Sequence, residues 1–232
     1  MKIAVLIPTR SRVPRLVKCV QSILSTHFGD VKIYVGIDQD DHDYNNYLKC
    51  CGEYRLLPSV FDPRAPVPVV MQSIAEYALE DGADLILIAS DDVVFTTHLW
   101  DMRVRDYFRA QQDRLMVGYF NNGQDREMIE HFVVSKEWIK ALGYFAPTMY
   151  NHFYVDSHIG DIAEKVGRLV WMKDITLKHE HFKYGLSVED ASYMEKRKNN
   201  FPTKDKTIFE MYEAVRVADA NKIRDAICAS GS

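Results

Sequence analysis

At 232 residues, 47% of them apolar and 27% charged, the chain is long enough for one large α/β domain with a substantial core. Its 13 tyrosines and 11 phenylalanines argue against a disordered segment, and a formal net charge of -4 argues against any overall attraction to nucleic acid or anionic membrane. No apolar run approaches the ~20 residues of a spanning helix. The N-terminus runs straight into a strand instead of a leader peptide, and Cys19, Cys50, Cys51 and Cys228 lack the paired spacing of a zinc site. Reduced thiols and a cytoplasmic location, in a bacterial or phage-infected cell, are therefore expected.

The chain opens on KIAVLIP, a buried strand stopped by Pro8 and followed by the basic turn Thr9, Arg10, Ser11, Arg12. From Pro14 the apolar positions Leu16, Val17, Val20, Ile23 and Leu24 recur at helical spacing, which predicts a helix over 14–26 with proline in its first turn. Strand, basic turn and helix begin a βαβ unit, and the helix N-terminus with Arg10 and Arg12 makes an anion site. A second strand, VKIYVGI at 31–37, runs into the acids Asp38, Asp40, Asp41 and Asp43. Asp38, first off that strand, is placed to accept hydrogen bonds from a nucleobase or ribose. Residues 53–68, with Pro58, Pro63, Pro66, Pro68 and Arg64, read as a rigid loop. A helix over 69–79 follows and is stopped by Asp81-Gly82.

Residues 83–95, ADLILIASDDVVF, organise the rest. Leu85 to Ile88 form a run suited to a strand buried on both faces. Ser90, Asp91 and Asp92 then fall at the carboxyl edge of the sheet, where ligands bind in α/β folds. Two adjacent carboxylates repel, and a hard divalent cation relieves that repulsion. The plainer alternative is a capping Asp91 beside a solvated Asp92.

Further on, a helix over 99–111, strands at 115–120 and 131–134, and a short helix over 136–142 capped by Ser135 and closed at Gly143 are expected. The stretch NHFYVDSHIGDIAEKVG sets Asp156 just before another helix, as a structural N-cap or a catalytic base. Two short strands, 168–171 and 175–177, lead to KHEHFK, where His179 and His181 face one way on an extended segment. Imidazole beside carboxylate suits manganese. The basic stretch with Lys196, Arg197, Lys198, Lys204 and Lys206 reads as amphipathic helix packed on the sheet, or as a contact for a polyanionic acceptor.

Taken together, these segments resemble the family 2 type glycosyltransferases of the GT-A fold over about residues 2–193. IAVLIPTRSRVPRLVKCVQSIL is similar to that family's first strand and helix, with Pro8, Thr9 and Arg10 at the nucleotide loop. Asp38 matches the family's uracil-binding acid, and Ser90-Asp91-Asp92 its DxD metal motif. DSHIGDIAEKVG is similar to its segment of acid and helix, with Asp156 at the catalytic base. His179-Glu180-His181, followed by Gly185, Asp190 and Tyr193, looks like its C-terminal HxH region. Two positions depart from the pattern: Ser90 replaces the first acid of DxD, and Val155 the acid before the base.

The resemblance implies a Rossmann-like mixed, mostly parallel sheet with helices on both faces. It implies a GT-A domain at 1–186 and a helical extension at 187–232 packed on it. The implied activity is metal-dependent, inverting transfer of a hexosyl or pentosyl group from a UDP-sugar to an acceptor hydroxyl, on a glycan or a hydroxylated base in phage DNA. Mn2+ or Mg2+ would sit on Asp92 with His179 or His181. The nucleotide would be bound by Pro8, Thr9, Arg10, Arg12, Asp38, Arg64 and Asp91, with Lys183 adding positive charge. An inactive nucleotide-sugar-binding module and a nucleotidyltransferase are the competing readings.

Overall fold

A computed structural model describes residues 1–124, 129–180, 185 and 191–230. The first half of the chain alternates strand and helix. β1 (Ile3–Thr9), β2 (Val31–Asp38), β3 (Leu57–Phe61) and β4 (Leu85–Ile88) are connected by α1 (Val13–Thr26), α2 (Tyr44–Tyr54) and α3 (Val67–Glu80). All four strands pair in parallel, so their carboxyl ends share one edge. The second half adds β5 (Val93–Phe95), α4 (Trp100–Ala110), β6 (Val117–Asn121), β7 (Phe132–Ser135), α5 (Lys136–Leu142), α6 (Val155–Lys165) and β8 (Leu169–His179). Helices α7 (Ala191–Lys198), α8 (Phe201–Met211) and α9 (Glu213–Ser230) follow. The sheet order is β3-β2-β1-β4-β7-β6-β8-β5, with β7 antiparallel to both of its neighbours.

Both faces of the sheet are covered, which is why its central strands read as unbroken apolar runs. Ile3, Val5 and Ile7 of β1 pack with Leu16, Val20 and Ile23 of α1 and with Trp100, Val104 and Phe108 of α4. The intervening Ala4 and Leu6 face Ile74 and Ala78 of α3, Trp138 of α5, Ile159 of α6 and Ile223 of α9. No helix among the described residues is long and apolar enough to cross a membrane.

Three local expectations are corrected. Residues 57–61 are a strand, not loop. β3 is an edge strand, where Pro58, which has no N–H, is tolerated. The two short strands expected at 168–171 and 175–177 are one strand, β8, in which the register with β6 jumps between Phe120↔Met172 and Asn121↔Thr176. The intervening polar residues Lys173 and Asp174 are thereby extruded from the ladder, a bulge that splits the apolar pattern. Asp156 lies inside the first turn of α6, and the cap position belongs to Tyr154, in the left-handed region at φ 67°. As expected, Ser135 caps α5 by accepting from the Trp138 N–H at 3.1 Å, and Gly143 closes it at φ 96°.

Candidate functional site

Because β2, β1 and β4 are neighbours in parallel, the residues leaving their carboxyl ends meet. The turn after β1 lies between the acids of the other two strands. Thr9 Oγ1 donates to Asp91 Oδ2 at 2.7 Å and Arg12 Nη1 to Asp91 Oδ1 at 3.1 Å. Tyr47 of α2 braces this turn, its hydroxyl accepting from the Arg12 N–H at 2.7 Å. Burial raises the Asp91 carboxyl above the ordinary carboxylate range, with Arg12 opposing and Asp92 reinforcing the shift.

On the other side of the turn, Arg10 Nη1 donates to Asp38 Oδ2 at 3.0 Å and to Asp40 Oδ1 at 2.6 Å. Arg64 brings its Nε to 3.6 Å from Asp38 Oδ2 and donates through Nη1 to Glu195 of α7 at 2.5 Å. Pro8 stands opposite Gly36 near the end of the β1–β2 ladder. The seven residues read from the sequence as nucleotide-binding therefore border one stretch of the sheet edge. Their cations sit on Asp38 and Asp91.

Asp92, which shares Arg12 with Asp91, also reaches the end of β8. β5 pairs antiparallel with the end of β8, Val93 against His179, and the Glu180 N–H donates to the Asp92 carbonyl at 2.9 Å. This register sets His179 Nε2 at 3.2 Å from Asp92 Oδ1, while His179 Nδ1 lies 3.0 Å from Glu130 Oε2. Burial disfavours the charged imidazole, yet the two carboxylates outweigh it and raise the His179 pKa to about 9. Glu130 also accepts from Asn122 Nδ2 at 3.0 Å. Burial would raise its carboxyl, but the bond to His179 prevails and holds it at about 2.

Ser90 Oγ donates to Asp92 Oδ1 at 2.7 Å and lies 2.9 Å from His131 Nε2. Its hydroxyl thus links Asp92 to a second imidazole. Burial and the neighbouring His179 drive the His131 pKa down to about 3, so this ring is neutral. The guanidinium groups of Arg12 and Arg15 each approach Asp92 Oδ2 at 3.6 Å.

Glu130 and His131 were missed by sequence reasoning. The sequence predicts a strand at 131–134 with no direction assigned, and β7 starts one residue later, at Phe132. Running antiparallel to β4, β7 begins where β4 ends, so the two residues before it join the carboxyl edge. The adjacent Glu-His pair was the available signal. Candidate ligand atoms of Glu130, His131 and His179 all lie within 4.8 Å of one another. A carboxylate and imidazole donor set of this kind, with Asp92 beside it, fits Mn2+ or a similar divalent ion.

Asp156 is partly buried near this group. Its Oδ1 accepts from the Ser157 N–H at 2.7 Å, burial raises its pKa to about 6, and the Glu130 charge adds to the shift. Val155, where the resembled family has an acid, is 4% exposed and packs in the core. His181, Lys183, Asp190 and the Tyr193 side chain lie outside the described residues.

A largely parallel sheet interrupted by the antiparallel β7, with acids along its carboxyl edge, is the GT-A fold, and this chain has it. Solved GT-A nucleotide-sugar glycosyltransferases share the architecture. The mannosyltransferase PcManGT from Pyrobaculum calidifontis, in complex with GDP-Man and Mn2+, superposes with a TM-score of 0.65 at 12% identity, over 99% of this chain and 75% of that one. S. aureus TarS 1-349 gives 0.60 at 13% identity, over 76% of this chain and 59% of that one, and has also been solved with UDP and with UDP-GlcNAc. GalNAc-T7 with UDP, GalNAc and Mn2+ gives 0.56 at 11% identity, over 77% and 44%. This chain thus spans little more than half of TarS 1-349. No family model matches it, and no curated protein matches it in sequence.

Proposed function

We propose that this chain is a metal-dependent, inverting glycosyltransferase that moves a sugar from a UDP-sugar to an acceptor hydroxyl. The observation that carries the proposal is the meeting of Asp92 and His179 at 3.2 Å, with Glu130 on the far side of the ring at 3.0 Å. A divalent ion bound there supplies Lewis-acid stabilisation of a diphosphate leaving group. Asp92 and His179 would hold it through Oδ1 and Nε2. Glu130 holds Nδ1 of the ring, which would leave Nε2 for the ion, as carboxylates behind metal-bound histidines do.

In this reading Asp38 accepts from the base, and Arg10 and Arg64 compensate its charge between turnovers. Arg12 and Arg15 place further positive charge beside Asp92. Asp156 takes the proton from the acceptor hydroxyl, and a single displacement inverts the anomeric centre. A carboxyl with a pKa of about 6 is ionised at neutral pH, yet a better base than an ordinary aspartate. Incubation with a panel of UDP-sugars and Mn2+, with measurement of released UDP, tests the proposal. Turnover that disappears in Asp156→Asn while UDP still binds supports it. An Asp156→Asn protein with wild-type turnover removes the base, and UDP binding without release by any sugar leaves a binding module.

A further inference from the structure

We infer that Asp205, on α8 outside the sheet, is a positioning residue that sets the place of Asp156. The inference rests on the reading of Asp156 as the base. Asp205 is fully buried and lies in the middle of its helix, yet its carboxylate serves another segment. Oδ1 accepts from the Asn151 N–H at 2.9 Å and from Asn151 Nδ2 at 2.7 Å. Oδ2 accepts from the His152 and Phe153 N–H groups, each at 2.8 Å. Three consecutive backbone donors thus converge on one side chain. The next residue, Tyr154, makes the left-handed turn into α6, and Asp156 follows two positions later.

A loop needs acceptors for its N–H groups, but water or a neutral side chain meets that need. A buried carboxylate makes shorter and stronger charge-assisted bonds, and both of its oxygens are committed in fixed directions. The rest of the C-terminal region grips the same segment. The Phe209 ring packs on Tyr154 with centroids 5.2 Å apart, and the Arg216 guanidinium lies 3.8 Å above the Phe209 ring. Arg216 Nε donates to Asp161 of α6 at 2.7 Å. Asp219 of α9 accepts from the Tyr144 hydroxyl at 2.6 Å, and that hydroxyl lies 3.1 Å from His158 Nε2 on α6. Helices α8 and α9 therefore hold both the loop before Asp156 and the helix after it. A misplacement of about 1 Å in a reacting group can cost about a hundredfold in rate.

Asp205→Asn keeps the shape but turns an NH2 toward backbone donors, whichever way the amide is flipped. The expected result is a fall in kcat of roughly tenfold to a hundredfold, with KM for the UDP-sugar and the affinity for UDP with Mn2+ unchanged. Amide hydrogen exchange at residues 151–153 should quicken about tenfold or more, a readout that needs no turnover. Asn151→Ala, which removes only the side-chain donor, is the milder variant and should give a smaller loss of the same kind. A wild-type kcat in Asp205→Asn overturns the inference, as does a loss of kcat matched by an equal loss of UDP affinity. Asp156→Asn is assayed alongside: if it turns over normally the base reading fails, and if it is inert while Asp205→Asn is normal only the positioning role fails.

Discussion

Asp156→Asn should inactivate the protein and at the same time stabilise it. Burial lifts the Asp156 pKa from 3.8 to about 6, and the Glu130 charge adds to the lift, so the folded state holds that proton more tightly than the unfolded chain. A raised carboxyl pKa means that the ionised form opposes folding. The penalty is complete above about pH 6 and is relieved as pH falls toward the unfolded value near 3.9. A shift of roughly two units corresponds to at most about 3 kcal/mol, and to about 2 kcal/mol once the group's remaining contact with water is allowed for. An amide at this position keeps the acceptor for the Ser157 N–H without the charge. For a chain of this size, about 2 kcal/mol raises Tm by roughly 4–8 °C. Thermal unfolding of both proteins in chelator-containing buffer should show that gain at pH 8 and almost none at pH 4. Equal or lower stability of the variant at pH 8, or a gain that persists at pH 4, would refute the argument that a desolvated carboxylate is held in place for chemistry.

Other outcomes follow from the same geometry. Asp92→Ala should abolish Mn2+-dependent UDP binding in calorimetry, whereas Glu130→Gln should weaken Mn2+ by about tenfold to a hundredfold without abolishing it. Asp38→Asn should raise KM for the UDP-sugar several-fold with little change in kcat, because in the proposed reading it would bind the nucleotide and not the reacting atoms. Arg105 donates to Asp101 on α4 and to the Met1 and Asp30 carbonyls. Arg105→Met leaves the fully buried Asp101 charge with only the Phe28 and Gly29 N–H groups, and should cost about 3–5 kcal/mol in denaturant unfolding. Adding Asp101→Asn to that variant should recover part of the loss.

The residues most easily read from sequence were those whose position follows from a parallel strand. Asp38 closes one apolar run and Asp92 lies just past another, and a run buried on both faces exposes chemistry only where it stops. His179 was legible through its spacing from His181, although its partner Asp92 was joined to it only by resemblance. Glu130 and His131 were not legible, because three apolar residues, Phe132 to Val134, give a strand without its direction. Pro58 misled for a related reason: proline argues against a central strand but says nothing about an edge. Asp205 carried no signal, since an aspartate flanked by Lys204 and Lys206 has the pattern of a solvated helix face. Its role depends on a loop over fifty positions earlier in the chain, and such long-range pairings leave no local period.

The couple at the end of β4 hangs on main-chain pairing. Three rungs between β5 and β8, and the Glu180 amide on the Asp92 carbonyl, fix where the two side chains are rooted, whatever those side chains happen to be. Donor chemistry and scaffold geometry are therefore separable here. If the proposed ion sits there, exchanging Asp92 or His179 for softer or harder donors would change which ion it prefers without rebuilding the frame that presents them.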